Sequence, residues 1–142
     1  MLKLGEVSAS EPFAELVFWA LDYGIECVST GETLIPFVAV LLNGKRQLRR
    51  LLAEGPEAAE RMLEHMLAQE PMEAYAYAYD GYVTLEGERS DAVFVEGAER
   101  GVEKGVLFVQ RYRPADHAEG FAVRARPALI EYPNSRLAGS DG

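Results

Sequence analysis

Apolar residues recur along this chain in two rhythms, and the change from one to the other divides it into helices and strands. Phe13, Leu16, Val17, Ala20 and Leu21 return at the i, i+3, i+4, i+7, i+8 spacing of a single helical face. Ser8-Ala9-Ser10-Glu11 reads as a capping box for this first helix, with Ser10 ahead of Glu11-Pro12 as the alternative start; Gly24 is the expected stop. A second helix is predicted after Gly55-Pro56, because proline at the first helical position loses no needed amide bond. Ala59, Met62, Leu63, Met66 and Leu67 make its apolar stripe, Glu57, Glu60, Arg61 and Glu64 its polar side, and Pro71 ends it.

Elsewhere the rhythm is that of strands. Leu34 to Leu42 is almost continuously apolar and closes on Asn43-Gly44, the signature of a strand entering a tight hairpin and covered on both faces. Pro36 cannot donate to a ladder and belongs at its beginning or on an edge. The return from Arg46 to Leu52 is read as a strand, although Leu48, Leu51 and Leu52 also fit helical spacing. Ala74-Tyr75-Ala76-Tyr77-Ala78-Tyr79 alternates strictly up to Asp80-Gly81, which is either a hairpin turn or a bulge in one long strand. Tyr82–Leu85, Asp91–Glu96, Val106–Tyr112 and Phe121–Arg126 complete a meander.

The element order α-β-β-α-β-β-β-β predicts an α+β fold: an antiparallel sheet of about five to six strands with two helices mainly on one face. That order resembles the one found in profilin-like and roadblock-like domains, although those often finish with a helix and this chain finishes with a strand. A single domain is expected over residues 1–132, followed by a polar, mobile tail over 133–142.

Composition narrows the function classes. The chain has 142 residues, enough for one core, and its 23 acidic against 14 basic side chains give a formal charge of −9. That balance opposes general binding to nucleic acid or to anionic lipid, leaving Lys45-Arg46-Gln47-Leu48-Arg49-Arg50 as the one basic cluster. The single cysteine, Cys27, cannot form an internal disulfide, and the N-terminal residues lack the apolar core of a signal peptide. A soluble, cytoplasmic protein is expected.

No motif points to catalysis or to a cofactor, and none is expected. Cys27, His65 and His117 show no metal-ligand spacing, there is no Gly-x-Ser-x-Gly elbow, and Gly97, Gly101 and Gly105 lack the lysine and the helix of a phosphate loop. Asp91, Glu96 and Glu99 are the candidates for a carboxylate-dependent hydrolase or isomerase, with His117 beside Asp116 and Glu119 as an accessory; turn and edge residues that keep the protein soluble are the bland alternative.

Three sets of residues are candidates for binding. Tyr75, Tyr77 and Tyr79 share one strand face, either as an exposed aromatic stripe or pointing inward with their hydroxyls partnered at the margin of the core. Phe18 and Trp19 flank the stripe of the first helix and widen its apolar surface beyond what one sheet requires, so that either another element of the chain or a second subunit must cover it. Arg111 and Arg113, with Arg124 and Arg126, suit carboxylate or phosphate recognition if their faces coincide, and are otherwise neutralised across the strands by glutamates. These surfaces lead to the expectation of a protein-interaction or regulatory module acting as a homodimer, its partners being itself and another protein. The alternative is a small-molecule or anion-binding domain, which a concave, tyrosine-lined pocket would favour.

Overall fold

The long apolar run of the first predicted strand and the alternation after Ala74 dictate the architecture, because both segments carry apolar side chains on both sides. In the computed structural model, which describes residues 2–137, the elements run in the order β1 (Leu2–Leu4), β2 (Val7–Ala9), α1 (Glu11–Ser29), β3 (Phe37–Leu42), β4 (Lys45–Arg50), α2 (Pro56–Gln69), β5 (Ala74–Leu85), β6 (Glu88–Glu99), β7 (Val106–Arg113) and β8 (Ala122–Glu131). β1 and β2 form a small hairpin, and the other six strands form one antiparallel sheet in the order β4-β3-β5-β6-β7-β8. The chain is therefore α+β, with the predicted element order after an N-terminal hairpin that the periodicity does not reveal. Its strands are three residues each, too short for alternation to register.

The two helices do not share a face. Helix α1 buries Phe13, Leu16, Val17, Ala20 and Leu21 in one cluster with Ala39, Ala74, Ala76 and Ala78. Helix α2 puts Ala59, Leu63 and Leu67 in a second cluster with Val38, Val40, Tyr75 and Tyr77, the intervening positions of the same strands. Successive side chains of a strand point to opposite sides, so α1 and α2 flank the sheet. The expected grouping of both helices on one face gives way because β3 and β5 are apolar on both sides and each side needs cover.

Small residues set the distances on the α1 side. The alanines of β3 and β5 let the helix lie close to the sheet. A Cβ at Gly97 would stand 2.7 Å from the Tyr75 carbonyl oxygen and 3.3 Å from the Phe13 ring. Gly24, expected to end the helix, sits inside it, since α1 runs on to Ser29; a Cβ there would meet Val93 at 2.7 Å. The packing partner, not a helix stop, requires glycine here. The cap is Ser10, whose hydroxyl accepts from the Phe13 amide, while Ser8 belongs to β2.

The remaining boundaries obey local chemistry. Residues 45–50 are the edge strand β4, its cations lining an otherwise open ladder. Asp80-Gly81 lies within the continuous strand β5, where Gly81 makes room for the Phe94 ring. The stretch 133–137, expected to begin a mobile tail, is packed instead: Ser135 and Leu137 are buried, Leu137 in the α2-side cluster. The rest of that expected tail lies outside the described residues. No helix among the described residues is long and apolar enough to cross a membrane.

Candidate functional site

On the α2 side the sheet is only partly covered. Helix α2 starts at Pro56, after a turn at Gly55 in the left-handed region (φ 98°), and so leaves the middle of β5 uncovered. The segment before β3 and the one after β4 meet beside that gap, where the Leu51 amide donates to the Pro36 carbonyl. Between them opens a cavity of about 550 Å³. Leu34, Pro36, Ala53 and Pro56 give it apolar walls; Tyr77 and Tyr79 from β5 form an aromatic wall; Glu60 and Glu96 supply carboxylates, and Asp80 borders the space with its own carboxylate bonded to Tyr112 of the α1-side cluster.

The aromatic wall continues across the sheet. Tyr77 and Tyr79 have ring centroids 5.1 Å apart, and Tyr79 stacks on Phe94 of β6 at 5.2 Å and 7°. Tyr75 is fully buried and Tyr77 is 3% exposed. Burial pushes the hydroxyls of Tyr75 and Tyr77 above the ordinary range and that of Tyr79 up to about 12, with the negative charge of Glu96 adding to the effect at Tyr75 and Tyr79. The hydroxyls differ in one respect. That of Tyr75 donates to Glu96 Oε2 at 2.8 Å and accepts from the Arg136 amide at 3.2 Å, whereas that of Tyr77 has no hydrogen-bond partner among the described residues.

Behind the cavity, Arg136 ties the C-terminal stretch to helix and sheet. Its Nε and one terminal nitrogen donate to the two carboxylate oxygens of Glu96, at 2.8 and 2.9 Å. It also donates to Glu60 at 2.8 Å and to Glu64 at 3.2 Å, and its guanidinium carbon lies 5.8 Å from the Tyr77 ring centroid. These bonds raise the pKa of Arg136 further, so it stays charged. The bidentate pair is geometrically specific.

The other predicted binding residues are placed differently. Phe18 packs on Phe108 of β7 with centroids 5.4 Å apart, and Trp19 lies beneath the Arg46 guanidinium of β4 at 4.7 Å. Both therefore touch strands of the same chain, while Phe18 keeps 39% of its surface exposed. Arg113 and Arg124 line a second hollow, of about 330 Å³, with Arg89, His117, Asp91 and Glu119. Arg111 stands opposite Arg124 in the ladder, and its Nε is the one buried side-chain polar atom without a hydrogen bond among the described residues. Arg126 lies past the β-bulge at Ala125 and does not line the hollow. Glutamates answer two of these cations, Glu119 at Arg113 and Glu88 at Arg124.

The carboxylates proposed for acid–base work do not converge. Glu96 lies with Arg136, Asp91 lines the arginine hollow, and Glu99 accepts from both the amide and the hydroxyl of Ser10 at the start of α1. His117 accepts from the Glu119 amide within its own loop. Burial raises the pKa of the Cys27 thiol, which makes it a weaker nucleophile. Among the described residues no group of three or more His, Cys, Asp or Glu side chains is placed to hold a metal ion.

Sequence reasoning finds the tyrosines but misses Glu60, Asp80 and Arg136. Glu60 looks like part of a solvated helix face, and Asp80 like a turn residue. Arg136 sits in a stretch too polar to suggest packing; its one signal is the neighbouring Leu137, an isolated apolar residue in an otherwise polar tail. Compared with protein families, with curated proteins and with solved structures, the chain matches none.

Proposed function

We propose that this domain binds a small organic molecule in the cavity between the start of α2 and the tyrosines of β5. The observation that carries this reading is the Tyr77 hydroxyl. The rest of that side chain is packed, while the hydroxyl keeps accessible surface and bonds no other described residue, so it is available to a ligand. Here the hydroxyl belongs to a side chain that lines a concave space with apolar and polar walls in about equal share, room for a ligand that carries both characters. An interaction module docking through an exposed tyrosine stripe finds less support, because α2 and residues 135–137 cover Tyr75 and most of Tyr77.

The test is a thermal-shift screen of small polar aromatic compounds against the wild type and against Ala53→Phe, which fills the cavity from its rim. Compounds that raise the melting temperature of the wild type and lose that effect in the filled variant support the proposal. Compounds that stabilise both proteins equally, or a screen in which none stabilises either, overturn it.

A further inference from the structure

Granted that the cavity between α2 and β5 is a ligand site, on which the inference rests, its lining also selects a chemical class. We propose that the cavity takes an organic cation, an ammonium or guanidinium group carried on an aromatic or apolar body.

Charge is the first argument. Glu60 and Glu96 bring carboxylates to the space, and no cationic side chain lines it among the described residues. Arg136 neutralises part of this charge from behind, but it uses both oxygens of Glu96 and only one of Glu60. The second Glu60 oxygen has no partner among the described residues. An anionic ligand would meet the remaining Glu60 oxygen inside a partly enclosed space where repulsion is stronger than in water.

Acceptor geometry and the aromatic wall point the same way. An ammonium group has three donors to place, and the Tyr77 phenol oxygen offers a second kind of acceptor beside the carboxylates. The rings of Tyr77 and Tyr79 present π faces that attract a cation, while Pro36, Ala53 and Pro56 suit an apolar body. The protein already contains an instance of this recognition: the Arg136 guanidinium is held by Glu96 and Glu60 beside the Tyr77 ring. A bare metal ion fits less well, since the carboxylates are not grouped as ligands.

The experiment is isothermal titration of three probes that share an indole and differ in charge: tryptamine, its neutral alcohol analogue tryptophol, and indole-3-propionate. Tryptamine is expected to bind about tenfold more tightly than tryptophol, as one charge-assisted contact allows, and the propionate more weakly than either. That preference should shrink in Glu60→Gln, and added salt should weaken tryptamine most. Glu64→Gln, which alters an Arg136 partner outside the cavity, should leave the preference unchanged, so a loss in Glu60→Gln alone cannot be put down to a loosened C-terminal stretch. If tryptophol or the propionate binds as well as tryptamine, and Ala53→Phe abolishes that binding, the cation class is wrong and the cavity reading stands. Binding of all three that ignores Ala53→Phe overturns both. Failure of all three to bind overturns the cation proposal, while the thermal-shift screen judges the cavity separately.

Discussion

The two faces of the central sheet use the same strands to opposite ends. On the α1 side alanines and glycines bring helix and sheet together, and Leu16, Val17 and Ala20 have no exposed surface. On the α2 side the alternate positions of β5 carry tyrosines, the shorter helix stops short, and a half-buried arginine–glutamate network fills part of the space left over. Close packing of small and aliphatic groups needs no polar partner and tolerates no gap. A polar layer with an open cavity is a weaker way to stabilise a fold, because every charge in it must be answered. A domain built only for stability would have two faces like the first. The second face keeps carboxylates, a phenol and empty volume together, and that contrast is the reason to place function there.

The contrast has consequences that can be measured. The largest effect is expected on the α1 side. Leu16→Ala, at a fully buried position among close-packed neighbours, should cost about 2–5 kcal/mol in urea denaturation. A loss well below 1 kcal/mol would mean that this face is not the dry, tight layer described. On the α2 side, Arg136→Ala should cost about 3 kcal/mol, because it strands Glu96 and Glu60 in a half-dry site. The two faces should then part company. Pairing the change with Glu96→Leu, as Arg136→Met/Glu96→Leu, should recover most of the loss by removing both charges, whereas no second substitution of that kind can rescue Leu16→Ala.

A smaller effect should appear at alkaline pH. Tyr75, Tyr77 and Tyr79 have hydroxyls raised above the ordinary value of 10.0, all chiefly by burial. The folded protein therefore holds these protons more tightly than the unfolded chain does. The resulting stabilisation is complete below pH 10.0 and is lost as the pH rises from there through about 12, where Tyr79 ionises. Tyrosinate absorbance followed with circular dichroism should show these tyrosines ionising together with unfolding. Early ionisation with the fold intact would show that the α2 side is more open than described.

Much of the fold is legible in the sequence because it depends on periodicity. The helical stripe from Phe13 to Leu21, the proline start of α2 and the tyrosine–alanine alternation each identify their element directly. The helices are harder to place, because β3 shows that both faces need cover but not which helix takes which. Gly24 misleads for a related reason: a glycine kept for a contact with Val93, which is remote in sequence, looks the same as one kept for a helix end. The site is only half legible. Tyr77 and Tyr79 stand out by pattern, while Glu60, Asp80 and Arg136 acquire their roles from distant partners. Arg136 and Glu96 are 40 residues apart in the chain, and no local spacing encodes such a pair.

The central claim is that function resides on the α2 side, and amide chemical-shift mapping by NMR with tryptamine as titrant tests it most directly. Saturable shifts concentrated at Leu34, Ala53, Gly55, Glu60, Tyr77 and Tyr79 are the predicted result. Shifts centred instead on the outer surface of α1, around Glu15, Phe18 and Asp22, would contradict it.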